Sequence, residues 1–305
     1  MPTMRVLNFG SMNLDHVYRV DSFVRPGETK AALELTHHAG GKGLNQSIAL
    51  ARAGLNVYHA GKVGREPEAG LLVDTLRTSG VNIDNIDISN APTGHTIIQV
   101  DNSGANCILL FPGANADIDE PFIERVLSNF ESGDMLLLQN EISGIGSIMN
   151  GAASRGMTII MNPSPFDAKI QSYPLELVNI LVVNEIESEG LSGESDPERA
   201  AWVLGQRFPN MKIVLTLGVN GSICFEKGKA IHQKAYQVQA VDTTAAGDTF
   251  MGYFLAGLAE GMTNLEAMDL ASRAAAICVT RLGAAESIPY RNELRDREEL
   301  RAFQK

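Results

Sequence analysis

Asp242-Thr243-Thr244-Ala245-Ala246-Gly247-Asp248-Thr249-Phe250 runs directly into the apolar stretch Met251 to Leu258. Ala245, Ala246 and Gly247 carry almost no side chain, so their backbone N–H groups can come close to a ligand. The helix that follows would aim its positive end at the same point, and together these features form an anion site. Asp248 stands at the mouth of that site, where a carboxylate beside a bound anion would repel it. Its presence makes sense if it takes up a proton while the N–H groups hold a phosphoryl group in transfer. A lone Asp at this place is also an ordinary acid of a first helical turn. The small residues around it, and Asp242 further upstream, favour the chemical reading.

Three further segments carry groups that could bind or catalyse. Asn13 and Asp15, expected on a loop after the first strand, can offer paired donors and acceptors to adjacent hydroxyls, or can simply make a turn. Gly40-Gly41-Lys42-Gly43 lets the backbone approach a ligand and admits a helix start, with Lys42 and Asn45 projecting beyond it. It has neither the G-x-G-x-x-G spacing of dinucleotide binders nor the G-K-[ST] ending of a P-loop, which counts against an oxidoreductase. Asn184 and Glu187 have capping-box spacing, and one amide with one carboxylate can also hold Mg²⁺ through its hydration shell. Both roles are expected of them, while Glu185 and Glu189 are expected in solvent. The six histidines show no H-x-x-x-H or H-E-x-x-H pattern, so no zinc site is expected.

These residues need elements to hold them. Arg5–Phe9, Val57–Lys62, Met135–Gln139, Met157–Met161, Ile180–Val183 and Lys212–Thr216 read as buried strands. Helical patterns at Gly43–Ala53, Pro67–Ser79 and Asn264–Arg281 lie among them and after them. This alternation predicts βαβ units, a mainly parallel sheet and ligands at the carboxyl ends of its strands. Two pairs break the rhythm. Asp15–Val20 with Lys30–Thr36, and Gly94–Asp101 with Asn106–Phe111, alternate like half-buried strands, the second pair around a hairpin turn.

Four motifs in order, Gly10-Ser11-Met12-Asn13-Leu14-Asp15-His16, Gly40 to Gln46, Asn184-Glu185-Ile186-Glu187 and the Asp248 segment, resemble the ribokinase-like (phosphofructokinase-B type) sugar kinases. The resemblance runs from about Arg5 to Pro289. It implies an α/β fold with a mainly parallel central sheet flanked by helices, one kinase domain over residues 1–305, and a small β-sheet lid within 14–38 and 93–112. It implies ATP-dependent transfer of the γ-phosphate to the 5-hydroxyl of D-ribose, with Asp248 as base and Ala245, Ala246 and Gly247 as anion hole. The sugar would be held by Asn13, Asp15, Gly41, Lys42, Gly43, Asn45 and Glu141, although Glu141 taken alone is equally an ordinary first-turn helix acid. ATP would lie along Asn184, Thr216, Gly218, Gly221, Gly247 and Ser272, where many relatives have His or Asn in place of the serine. Mg²⁺ would sit near Asn184 and Glu187. The family's K⁺ site would fall on Asp242, Thr244, the carbonyls of Cys278, Arg281 and Gly283, and Ser287; a tight turn without an ion would leave the same trace. His37 and His38 fall at the lid edge. His95, beside Thr96, either points outward or alters which sugar fits.

Composition narrows the remaining choices. The 305 residues are 44% hydrophobic and 20% charged, as in ordinary globular proteins, with a formal charge of −11. That charge argues against nucleic acid or an anionic membrane as partner, and leaves local dipoles, a few cations and Mg²⁺ to hold a nucleotide. Cys107, Cys224 and Cys278 lie far apart and read as reduced thiols of a cytoplasmic protein. Met1–Gly10 lacks the pattern of a signal peptide, and no apolar run is long enough to span a bilayer. A homodimer through the lid is expected. The alternatives are a kinase of the same family acting on another sugar or on a nucleoside, which needs an apolar shelf for the base, and a catalytically silent sugar sensor.

Overall fold

Apolar side chains on successive strand residues point to opposite faces, so a strand buried on both sides must be apolar throughout. The short runs Met135–Gln139, Ile180–Asn184 and Lys212–Thr216 are of this kind, and in the computed structural model, which describes residues 4–294, they lie in the middle of one large sheet. Residues 1–3 and 295–305 lie outside the described residues, so the one-domain expectation over 1–305 and the N-terminal reading from Met1 extend beyond them.

The strands are β1 (Arg5–Phe9), β2 (Asn13–Arg19), β3 (Glu34–Gly40), β4 (Asn56–Val63), β5 (Asn82–Ile88), β6 (Gly94–Val100) and β7 (Asn106–Phe111). They continue with β8 (Met135–Gln139), β9 (Thr158–Asn162), β10 (Ile180–Asn184), β11 (Lys212–Thr216), β12 (Ser222–Glu226) and β13 (Lys229–Gln233). The nine-stranded sheet has the order β13-β12-β11-β10-β9-β8-β1-β4-β5. It is parallel from β5 to β11, and β12 and β13 add an antiparallel edge.

Helices cover both faces. Val6, Leu137, Val182 and Val214 face one apolar layer with α1 (Lys42–Arg52), α2 (Ala69–Thr78), α7 (Ala246–Ala259) and α8 (Asn264–Cys278). Their chain neighbours Leu7, Leu138, Leu181 and Leu215 face the other layer, which contains α3 (Glu120–Leu127), α4 (Ile145–Ser154) and α6 (Pro197–Arg207). The short helix α5 (Glu185–Ser192) follows β10 directly. Each fully buried Leu or Ile contributes on the order of 1.5–3 kcal/mol, which is why the doubly covered arrangement wins over an open sheet. This is the expected fold class: a large, mainly parallel sheet flanked by helices, with a second small sheet. Among the described residues no helix is long and apolar enough to cross a membrane.

The second sheet has the order β3-β2-β6-β7. Two boundaries differ from the sequence reading. The strand expected over Lys30–Thr36 begins at Glu34 and runs to Gly40, because the Lys30 ammonium folds back onto Asp21 at 3.0 Å while the strand pairs with β2 as far as Asn13↔Gly40. Asn13 and Asp15 sit in β2 itself, not on a loop, because the chain re-enters a strand almost at once after β1.

The start of α1 lies hard against the β1–β2 connection. A Cβ on Gly43 would stand 2.3 Å from the Ser11 nitrogen and 2.4 Å from Gly10, both backbone contacts that cannot yield cheaply. Gly70, in α2, has nothing within 4 Å of the same position. Gly43→Ala should therefore destabilise by about 1–3 kcal/mol or more, and Gly70→Ala should stabilise by about 0.5–1 kcal/mol. Urea unfolding of the two variants checks this; equal effects would mean that α1 is not so tightly seated.

Candidate active site

Where β10 and β11 end and α7 begins, the chain leaves a cavity of about 430 Å³. Lys42, Asn184, Glu187, Ala245, Gly247 and Asp248 are among its lining residues. It opens beside a second, more apolar cavity of about 260 Å³, reached past Thr216, Gly218 and Gly247 and lined further by Gly221, Phe250 and Ser272. The loops at the carboxyl ends of a parallel sheet converge here, as they must in a doubly wound fold.

Asp248 lies in the first turn of α7 and is 8% exposed. Its Oδ1 accepts from Gln46 Nε2 at 2.8 Å and its Oδ2 from Asn45 Nδ2 at 3.3 Å. An ordinary first-turn acid would turn outward to solvent, whereas this one is held inside the cavity wall. Just before it, Ala245 takes a left-handed conformation with φ 60°. The Ala246 amide reaches the Thr243 carbonyl at 3.3 Å, but no acceptor among the described residues pairs with the amides of Gly247 or Asp248. Of the expected anion hole, then, Ala246 is partly committed to its own turn, and Gly247 and Asp248 are open. A Cβ on Gly247 would meet no protein atom within 4 Å, so packing does not require a glycine there. The space it leaves belongs to the cavity.

Lys42, the first residue of α1, lines the same cavity and makes no ion pair within 4 Å among the described residues. Burial would pull its ammonium down, but Asp248, Glu141 and Glu187 together outweigh that and hold it above the ordinary lysine value. Glu141 is not in a helix at all, since α4 starts only at Ile145. Its Oε2 accepts from the Lys42 amide at 3.0 Å and from the Ser11 hydroxyl, so it serves as the cap that Gly41 cannot provide for α1. Burial pushes its carboxyl up, against the opposing pull of Ser11 and Lys42.

One face of the small sheet carries the polar residues Asn13, Asp15 and Thr96. Alternation puts Asp15 and Thr96 on the same side, where the Thr96 hydroxyl donates to Asp15 Oδ1 at 2.6 Å. Burial pushes the Asp15 carboxyl up to about 6, although the Thr96 bond opposes the rise. Asn13 is 2% exposed and its Oδ1 accepts from Asn115 Nδ2 at 2.8 Å. Asn45 Oδ1 is buried and has no hydrogen-bond partner among the described residues. His95 points to the opposite face: its ring lies 5.1 Å from Phe111 and 5.9 Å from His16. Of the two readings of His95, the outward one holds, and Thr96 is the member of the pair that touches Asp15. His37 and His38 lie on β3, the edge strand.

Asn184 and Glu187 make the expected capping box. Asn184 Oδ1 accepts from the Glu187 amide at 2.9 Å, and the Glu187 carboxylate accepts from Asn184 N and Nδ2 at 3.0 and 3.1 Å. Glu187 is buried and both residues line the cavity, with oxygen lone pairs still available to a hydrated Mg²⁺; Glu185 is exposed, as expected, and lines the same cavity. The residues expected at the K⁺ site are linked by bonds within one turn region. Asp242 Oδ1 accepts from Thr244 N and Oγ1, its Oδ2 accepts from the Gly283 amide, and the Ser287 hydroxyl donates to Ala284 O. The Cys278 carbonyl takes the Arg281 amide at 3.0 Å, and its thiol lies 3.1 Å from Ser287. These residues converge, and the Ser287 hydroxyl oxygen and the Cys278 carbonyl each keep a lone pair beyond the bonds they make within the turn.

Sequence reasoning missed several neighbours. Ser11, Gln46 and Asn115 hold the named residues in place and Asn162 holds Gln46, and nothing in their spacing announces it. Thr216, Gly218, Gly221, Gly247 and Ser272 line the apolar cavity as expected, and Ala235 to Val238 and Phe250, which the sequence reading does not assign to it, line it with them.

Residues 4–291 match the family model described as pfkB family carbohydrate kinase. A ribokinase of Haemophilus influenzae is 37% identical over 299 residues, covering 95% of this chain and 96% of that protein. The structure of Arabidopsis thaliana ribokinase complexed with ribose and ATP superposes with TM-score 0.86 at 29% identity, covering 98% of this chain and 99% of that one. Ribokinase from Cryptococcus neoformans in complex with ADP gives TM-score 0.82 at 34% identity, covering 96% and 99%. A capped glycine-rich helix, a buried aspartate beside open amides and a two-part cavity are thus found in a chain that, on this likeness, belongs to the pfkB family of carbohydrate kinases.

Proposed function

We propose that this chain is an ATP-dependent sugar kinase that transfers the γ-phosphate to the 5-hydroxyl of D-ribose, giving ribose 5-phosphate and ADP. The observation that carries this reading is a buried carboxylate, Asp248, in the same cavity wall as the unpaired amides of Gly247 and its own backbone. Asn13, Asp15, Asn45 and the backbone around Gly41 and Gly43 hold the sugar, with Glu141 supporting Lys42. The 5-hydroxyl oxygen forms its bond to the γ-phosphorus as the bond to the β–γ bridging oxygen breaks. Asp248 takes the hydroxyl proton, and the open amides with the Lys42 ammonium meet the charge on the phosphoryl oxygens. The phosphates lie in the larger cavity past Asn184 and Thr216, and the base in the apolar one by Gly218, Gly221 and Ser272. Mg²⁺, held through water near Asn184 and Glu187, supplies charge neutralisation of the phosphates. K⁺ at Asp242 and Thr244, with the carbonyls of Arg281 and Gly283, would stiffen the loop before α7 without touching substrate.

The nucleoside reading has less support. In the segment Gly94 to Phe111 the ring available as a shelf is Phe111, and it lies on the far face with His95. The chain is a single catalytic unit with the small sheet as its lid. Exposed Leu35, Ile97, Leu109 and Phe111 share the outer face of that lid and fit a second copy of the chain.

Three outcomes follow. Coupled ADP release across pentoses, hexoses and nucleosides should rank ribose first, and Asp248→Asn should lower kcat by about 10²–10⁴-fold with little change in ATP binding. Near-wild-type turnover in that variant, or adenosine ahead of ribose, would overturn the assignment. Gly247→Ala should keep or raise the melting temperature, since no protein atom opposes the new methyl, while kcat/KM for ATP falls at least about 10-fold, or about 1.4 kcal/mol; unchanged kinetics would mean no ligand approaches there. Asp15 has a raised pKa of about 6, so its acceptor form is lost as pH falls through that value. The ribose KM should rise below about pH 6 in wild type and lose this dependence in Asp15→Asn, as read from KM between pH 5 and 8. The same raised value means the folded chain holds the Asp15 proton more tightly than the unfolded one, so this group's contribution to stability declines as pH rises from the ordinary Asp value through about 6.

A further inference from the structure

Behind Asp248 runs a chain of side-chain amides, buried at Asn8, Gln139 and Gln46 and reaching the cavity wall at Asn162. Gln46 Nε2 donates to Asp248 Oδ1 at 2.8 Å and to Asn162 Oδ1 at 3.0 Å. Gln46 Oε1 accepts from Gln139 Nε2 at 2.7 Å, and Gln139 also donates to Asn8 Oδ1 at 3.0 Å. Asn8 Nδ2 in turn donates to the Gly43 carbonyl and to Ser47 Oγ, both at 2.8 Å. Gln46 and Gln139 are 1% exposed and Asn8 is fully buried. Amides are costly to bury, at about 1–3 kcal/mol for each group left unpaired, and apolar residues would fill the same space without that risk. A chain of them calls for an explanation.

The chain has a direction, and backbone carbonyls set it at both ends. A carbonyl can only accept. Gly43 O therefore fixes the NH₂ of Asn8, which turns Asn8 Oδ1 toward Gln139. At the other end Asn162 Nδ2 donates to Val182 O at 2.9 Å, which turns Asn162 Oδ1 toward Gln46. Gln46 is left with one orientation that satisfies both neighbours: its oxygen faces Gln139, and its NH₂ faces Asn162 and Asp248. Reversed, it would set an amide oxygen against a carboxylate oxygen. The two Asp248 oxygens are thereby made unequal. Oδ1 is gripped at 2.8 Å by an amide that cannot turn, and Oδ2 has only the long 3.3 Å contact from Asn45.

Resting on the kinase reading above, we infer that Gln46 is a positioning residue for phosphoryl transfer: it locks Asp248 Oδ1 so that Oδ2 is the oxygen that receives the proton of the acceptor hydroxyl. Gln46 lines neither of the two cavities described above. It reaches the larger cavity through two partners, Asp248 and Asn162, and the Asp248→Asn background separates the first route from the second and from mere core packing.

A double-mutant cycle tests this, run with whichever alcohol ranks first in the substrate panel, so that a failure of ribose leaves the test of Gln46 intact. Gln46→Glu keeps the size of the side chain and an oxygen for Gln139 but loses the donor to Asp248; Gln46→Met removes both polar atoms. If Gln46→Met melts early, Gln46→Glu decides. Each should lower kcat by at least about 10-fold with KM for alcohol and ATP held within about threefold. In an Asp248→Asn background the same substitutions should change kcat by less than about twofold, because the group they act through is gone. The full loss persisting in that background, an unchanged kcat in the single variants, or a loss carried by KM would each overturn the assignment.

Discussion

The site depends on how closely α1 and α7 approach one another. A Cβ on Gly252 of α7 would lie 2.5 Å from Ala49 Cβ and 2.7 Å from the Ala49 carbonyl carbon, so the two helices meet almost backbone to backbone. That contact places Asn45 and Gln46, at the start of α1, under Asp248, at the start of α7. Both helix N-termini then face one cavity, and positive ends gathered in one place favour bound anions. Gly43 against Gly10 and Ser11 sets the height of α1 on the sheet, and Gly252 against Ala49 sets the height of α7 on α1. A side chain on either glycine would have to push its helix off its neighbour, and with it the carboxylate or its donors.

Charge in the site is balanced by the same arrangement. Asp248, Glu141 and Glu187 all act on Lys42, and the protein as a whole carries −11. Three acids around one ammonium would repel an incoming nucleotide if all were free. Glu141 is partly spent on the amide of Lys42 and the Ser11 hydroxyl, and Glu187 on the amides of Asn184. What remains facing the cavity is less negative than the residue count suggests. The amides of Gly247 and Asp248 and the Lys42 ammonium can then dominate locally.

Much of this was legible in the sequence, and the failures have physical causes. Buried strands announced themselves as unbroken apolar runs, and helices α1, α2 and α8 by their spacing. The small sheet was harder, since only part of it is buried, and its strands carry the polar residues that also favour turns. Asn13 and Asp15 were therefore read as loop residues although they belong to β2. Glu141 looks like a helix acid because it follows a strand, but Gly144, in the left-handed conformation, delays α4 until Ile145. The amides of Asn8, Gln46, Gln139 and Asn162 come from four different elements. Neither periodicity nor motif spacing relates them, and only the folded chain brings them into line.

The parity of the small sheet separates two kinds of change. Residues such as Asp15 and Thr96 look inward, and their immediate neighbours His16, His95 and Ile97 look outward. On the reading proposed above, drift at the outward positions would remodel whatever packs against this sheet and leave ligand choice untouched, while drift at inward positions would do the reverse. A single inserted residue in β2 or β6 would abolish that independence, exchanging the two sets at once. Lineages of this fold can thus vary their associations and their substrates on separate schedules, provided the strand length is kept.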